Sequence, residues 1–144
     1  MKFNEDSRVK IPTILHCMRL GFEYISLKNQ SSNINENTNI FSKIFLSTIQ
    51  KINPGITTNE AKQALDEISL ALENEDLGRA FYKKLINKSG VRLIDFENFD
   101  QNTFHVVTEL TYKNGEDEFR PDITLLINGM PLIFIEVKKP NNRD

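Results

Sequence analysis

A Pro-Asp pair and a Glu-x-Lys triplet stand out in the stretch RPDITLLINGMPLIFIEVKKP, residues 120–140. Asp122 opens one apolar run, and Glu136 and Lys138 close the next. Glu136 and Lys138 are two apart, which on a strand puts both side chains on one face. Two carboxylates beside an ammonium suit phosphodiester hydrolysis. Magnesium takes oxygen ligands and is held by one or two carboxylates together with waters and phosphate oxygens. Asp122 and Glu136 supply such carboxylates. A metal held there lowers the pKa of a bound water and stabilises charge on the phosphate. Lys138 would orient or help deprotonate that water and offset transition-state charge. Its ammonium is a point charge with an adjustable pKa, which fits that role better than a guanidinium. The bland alternative is a turn-capping Asp122 and a chance Glu-x-Lys, since such short motifs recur freely. Context favours chemistry, because the charges cluster at one end of two neighbouring strands.

Those strands, residues 123–127 and 132–137, are split by Asn128-Gly129, a strong hairpin signal. Residues 132–135 are continuously apolar, so this strand is expected to be buried on both faces. Charges at the mouth of such a strand need partners, a metal or a task. The hairpin also imposes a register condition. A strict two-residue turn pairs Ile127 with Met130 and Asp122 with Ile135, which turns Glu136 to the opposite face. A shared site demands an odd residue. A three-residue loop, 128–130, would place Asp122 opposite Glu136, and a β-bulge near Asp122 would do the same. Pro131, with no N–H to donate, is consistent with disturbed pairing. A regular hairpin with the two carboxylates on opposite faces would contradict the assignment.

Upstream, the texture is helical. Ile11, Ile14, Leu15, Met18 and Phe22 recur at helical spacing, with Pro12 marking a start or a kink and Gly21 a stop. Residues 22–27 read as a short strand, and the polar residues 28–39 as a mobile loop. Phe41, Ile44, Phe45, Thr48, Ile49 and Ile52 form a second helical stripe. Ala61, Ala64, Leu65, Ile68 and Leu72 form a third, starting at Thr57 or Thr58. A fourth, short helix holds Ala80, Phe81 and Leu85. Residues 91–94 read as a strand, 103–112 as another rich in β-branched and aromatic residues, and 113–119 as a charged turn. The order is α+β-like, helices first. It predicts an α/β domain with a mixed sheet of four to five strands flanked by helices.

The chain has 144 residues, 39% hydrophobic and 26% charged, with a formal net charge of −2. That suffices for one domain with a core and argues against global disorder. A near-neutral balance does not exclude nucleic acid, because a nuclease centre is itself acidic. The lone Cys17 allows no internal disulfide and fits a reducing cytoplasm. No apolar signal core or bilayer-length run is seen, so a cytoplasmic protein with no membrane partner is expected.

The sequence resembles the N-terminal PD-(D/E)xK nuclease domain of the R (restriction) subunit of type I restriction–modification enzymes. The resemblance covers most of the chain. It is carried by the motif stretch, by VRLIDFENFDQNTFHVVTELTY before it, and by EDSR, LGFEY and INPGIT earlier; residues 28–39 match weakly. It implies a restriction-endonuclease-like core and a metal-dependent DNA endonuclease, with Asp122, Glu136 and Lys138 catalytic and Asp122 and Glu136 as Mg2+ ligands. An acidic residue of the first helix joins the metal site in such nucleases. Glu5 is the best positional match, with Asp6 the runner-up and a plain helix-dipole acid the competing reading. Implied partners are duplex DNA and the modification and specificity subunits. The family's ATP site has no counterpart here, because no G-x-x-x-x-G-K-[ST] loop occurs. The family's glutamine–tyrosine motif does not occur before Asp144. Residues 1–144 are thus expected to be one nuclease domain of a longer, translocase-containing chain, with ATP bound only by the whole.

Lys139 and Arg143 extend the basic end and are candidates for DNA phosphate contacts. Arg79, Lys83, Lys84 and Lys88 are better read as a solvated helix face. With His16 and His105 as the histidines, a His-based metal site is not expected. Phe104, Tyr112 and Phe119 read as packing rather than base-stacking platforms. Two rival functions remain open at this level: a repair or recombination nuclease of the same fold, and a degenerate fold serving as a docking or DNA-binding module.

Overall fold

The computed structural model describes residues 9–138, apart from 31, 32, 74, 75, 77, 88 and 115. Its helices are α1 (Ile11–Arg19), α2 (Ser42–Ile52), α3 (Thr58–Leu72) and α4 (Arg79–Ile86). Its strands are β1 (Glu23–Tyr24), β2 (Phe104–Thr108), β3 (Tyr112–Asn114), β4 (Asp117–Phe119), β5 (Ile123–Ile127) and β6 (Met130–Ile135). One sheet has the order β1-β2-β5-β6, and β3 and β4 form a second. The fold is mixed α/β, as the sequence implies. β1 runs parallel to β2, with Glu23 opposite His105 and Tyr24 opposite Val106. β2 and β5 are antiparallel: Glu109 N–H donates to Asp122 O at one end and Asn128 N–H to Thr103 O at the other.

Backbone contacts divide the chain into two compact units. The first gathers α1, β1, β2, β3, β4, all of β5 but its last residue and all of β6 but its first. Pro12 sits in the first turn of α1, where its missing N–H costs nothing. α1 turns Ile14 and Cys17 inward. Cys17, Val106, Ile123, Leu125 and Val137 form a buried cluster, with Val9, Phe22 and Ile135 packed on it. The expected α1 stripe needs correction, because Ile11, Leu15 and Met18 are exposed. The opposite face of the sheet carries Tyr112, Phe119 and Phe134, with Tyr112 and Phe134 edge-to-face at 4.9 Å. Residues 113–119, expected to be a turn, contain the β3–β4 ladder, in which Tyr112 opposes Phe119. That aromatic pair, 5.7 Å apart, gives the charged segment an apolar anchor.

β5 is buried on both faces over its first four residues. β6 is not, against expectation: Ile133 is 45% and Phe134 46% exposed. The reason is position. β6 is an edge of the sheet order, and an apolar run does not reveal an edge.

The second unit gathers α2, α3, α4, the segment up to Thr103 and the hairpin tip 127–130. Phe45, Thr48, Ile49 and Ile52 are the buried face of α2, and Ala61, Ala64, Ile68 and Ala71 that of α3. Thr57 and Glu60 form a reciprocal capping box at the start of α3. Residues 91–94 form no strand. Their backbone groups are satisfied by amide side chains: Asn53 donates to Arg92 O and accepts from Arg92 N–H, and Asn128 donates to Leu93 O. Asn128 also donates to Asn102 Oδ1 and accepts from Thr103 N–H, fully buried. Side chains thus supply what a sheet ladder would otherwise provide.

Asn128 and Gly129 both have positive φ, 54° and 80°, as a type I′ turn requires. A Cβ on Gly129 would lie 2.7 Å from Phe41 O and 2.9 Å from Phe45 N. We expect Gly129→Ala to destabilise the protein by roughly 2–4 kcal/mol, combining left-handed strain with overpacking. Denaturant unfolding measures this, and a loss under about 0.5 kcal/mol would contradict the packing.

His105 is largely buried on β2, and burial holds its pKa below the usual imidazole value despite Glu23 at 3.8 Å. A base with a depressed folded pKa binds fewer protons folded than unfolded. Its contribution is therefore present above the unfolded value, about 6.5, and is lost as pH falls. Unfolding free energy should decline below that pH, and His105→Phe should flatten the decline. An unchanged slope would rule His105 out as its source.

Candidate active site

β5 delivers Asp122 from the residue before its first buried position. Pro121 precedes it, at a strand entry where a missing N–H is tolerated. Asp122 is tied on both sides. Its carbonyl accepts from Glu109 N–H at 3.3 Å, just past β2. Its Oδ2 accepts from Val137 N–H at 3.0 Å, just past β6. The carboxylate therefore lies against the backbone of the residue between Glu136 and Lys138. The Val137 amide engages Oδ2, which leaves Oδ1 for another partner.

Side-chain groupings fix which faces are shared. Tyr112 hydroxyl donates to Thr124 Oγ1 at 3.3 Å and its ring packs on Phe134, so Thr124 and Phe134 lie on one face. Ile123 belongs to the cluster on the other face with Ile135 and Val137. A strict two-residue hairpin would instead pair Thr124 with Ile133 and put Phe134 with Ile123. The turn is nevertheless the two-residue type I′ turn Asn128-Gly129. Both facts hold if one of the two strands carries an extra residue beyond the turn. The consecutive exposure of Ile133 and Phe134 breaks the alternation in β6. The three-residue loop is not used. Asp122 lies just outside β5, and Glu136 and Lys138 just outside β6; the Asp122–Val137 bond is what brings the two ends together. Val137 itself is buried in the cluster with Ile123 and Ile135.

Asp122 is half-buried; Glu136 and Lys138 are exposed. Glu5, Asp6, Lys139, Arg143 and Lys88 lie outside the described residues. His16 is exposed on α1. Lys84 pairs with Glu67 of α3 at 3.6 Å. Among the described residues, no group of three or more His, Cys, Asp or Glu is arranged to hold a metal. Sequence reasoning did not single out Lys10 or Glu109. Lys10, buried just before α1, sets its Nζ 3.2 Å from Glu109 Oε1. The signal for Glu109 was present: an acid ends the apolar run of β2, as Glu136 ends that of β6.

Over residues 2–144 the chain matches the family described as the type I restriction enzyme R protein N terminus. It belongs to that family. A relative from Methanocaldococcus jannaschii, named provisionally as the type I restriction enzyme MjaIXP endonuclease subunit, is 32% identical over 165 aligned residues. That alignment covers 98% of this chain and 16% of the relative. The type I restriction enzyme HindI endonuclease subunit of Haemophilus influenzae is 28% identical over 121 residues, 70% of this chain and 11% of that protein. A shorter match, 46% over 55 residues, joins 38% of the chain to 5% of a second M. jannaschii subunit, provisionally MjaVIIP. The chain thus spans well under a fifth of the length of these family relatives.

The Asp122–Val137 bond has a direct test. Asn at 122 keeps an acceptor for the Val137 N–H, whereas Ala leaves that amide unpaired. Asp122→Ala should cost about 1–2 kcal/mol of unfolding free energy, and Asp122→Asn less than half of that. Equal losses would mean that the bond contributes nothing.

Proposed function

We propose that this chain is the nuclease domain of a type I restriction enzyme R subunit, a metal-dependent endonuclease that hydrolyses phosphodiester bonds of duplex DNA. Family membership supports the class. The observation that carries the chemistry is the Asp122 carboxylate bonded to the backbone between Glu136 and Lys138. This donor set fits a hard divalent cation such as Mg2+. Asp122 has one anchored and one unengaged oxygen, and Glu136, next to the anchoring Val137 in sequence, offers an exposed carboxylate. When bound there, such an ion would acidify a water and stabilise charge on phosphate oxygens.

The chain's own residues have separable tasks. The Val137 amide holds Asp122 in one orientation. Glu136 offers its carboxylate from the sheet edge. Lys138 orients the attacking water and offsets charge on the phosphate. Glu5 is a further candidate ligand, and Lys139 and Arg143 are candidates for phosphate contacts outside the described residues. Translocation and ATP hydrolysis would reside elsewhere in a longer chain, because no phosphate-binding loop occurs here. Modification and specificity subunits would be its partners. Among the described residues no helix is long and apolar enough to cross a membrane.

In the full assembly, Asp122→Ala or Lys138→Ala should abolish cutting while ATP hydrolysis and translocation continue. Loss of ATPase activity in a folded Lys138→Ala enzyme would contradict the separation. On this chain, Asp122→Ala should weaken Mn2+ binding by at least about tenfold in calorimetry, as expected for losing one of two carboxylate ligands.

A further inference from the structure

Three non-glycine residues among those described have positive φ: Asn39, Asn128 and Glu109. Asparagine visits that region readily; glutamate does not. Glu109, at φ 60°, is therefore the outlier, and the structure must hold it there. Two bonds do so. Its N–H donates to Asp122 O at 3.3 Å, and its Oε1 accepts from Lys10 Nζ at 3.2 Å. Lys10 is 7% exposed. A buried ammonium is costly without an anionic partner, so the pair fixes where the Glu109 carboxylate lies.

We infer that Glu109, held by Lys10, is a positioning residue for Asp122. The left-handed turn at Glu109 aims its N–H at the Asp122 carbonyl. That bond sets the Asp122 peptide plane, and with it the direction of the carboxylate that meets Val137 N–H. Without the ion pair, Glu109 relaxes toward negative φ, its N–H leaves Asp122 O, and the carboxylate loses its fixed orientation. The consequence for metal binding rests on the function proposed above; the geometric part does not.

Two substitutions at one position separate backbone from charge. Glu109→Ala removes the carboxylate and keeps the strain. Glu109→Gly removes the carboxylate and relieves the strain, so the turn persists. Hydrogen exchange on the chain reads the Val137 amide, with the core amide of Leu125 as the folding control. In Glu109→Ala, Val137 exchange should accelerate on the order of tenfold with Leu125 unchanged, and Mn2+ affinity should fall about as much. Glu109→Gly should return both to within about threefold of the parent. Lys10→Met, an apolar replacement of similar length, should behave like Glu109→Ala and gives a second route if that variant unfolds. Unchanged Val137 exchange in both Glu109→Ala and Lys10→Met would overturn the inference. So would Glu109→Gly behaving like Glu109→Ala, because the carboxylate itself would then be what matters. If the parent binds no Mn2+ but the exchange pattern appears, the positioning role stands and the metal-site reading falls.

Discussion

The hydrogen bond from Val137 N–H to Asp122 Oδ2 is the constraint on which the arrangement of the candidate site depends. Asp122 is the first residue outside β5, where strand pairing no longer dictates side-chain direction. A free aspartate there would sample several rotamers. The Val137 amide selects one, and the Glu109 amide fixes the peptide that carries it. Three chain segments, the exits of β2 and β6 and the entry of β5, are thereby joined through one residue. An acceptor that is ionised makes such a bond stronger than a neutral one. The same atom that orders the loop ends is thus in the group proposed to bind the cation.

The register conflict in the hairpin follows from two demands on β6. The tip needs a tight turn, because Asn128 is an interior hydrogen-bonding hub and Gly129 leaves no room for a Cβ. The far end needs Val137 and Ile135 in the cluster around Cys17, and Phe134 against Tyr112. A continuous two-period ladder cannot meet both. An extra residue is cheapest on an edge strand, where one side of the backbone has no partner to disrupt. Pro131, early in β6, donates no ladder bond.

Much of this was legible in the sequence. The face of α2 and the first three turns of that of α3 could be read because their buried residues recur at helical spacing; at the end of α3 Ala71 is buried and Leu72 is exposed, against the expected stripe. The α1 stripe misleads because apolar residues occur around most of its circumference, and periodicity does not say that Ile11, Leu15 and Met18 face outward. Residues 91–94 look like a strand by composition. Their hydrogen bonds go to the side chains of Asn53 and Asn128, about 35 to 40 positions away in sequence, which no local pattern encodes. The Pro-Asp and Glu-x-Lys spacing was legible because two-residue periodicity is intrinsic to a strand. Lys10 and Glu109 were not, because they lie 99 residues apart and neither belongs to a short motif.

The two carboxylates differ in a way that bears on how such a site would work. Asp122 is anchored to a strand buried on both faces, whereas Glu136 stands exposed beyond the end of an edge strand. Rigid and adjustable ligands have different uses. A fixed carboxylate defines where a cation sits, with little ordering cost on binding. An exposed one would be free to shift if a phosphate joined a cation held there. Strand burial sets this difference before any ligand arrives. It explains why elements remote from the motif, the α1 cluster beneath β5 and the Lys10–Glu109 pair beside it, belong to the physical description of the site.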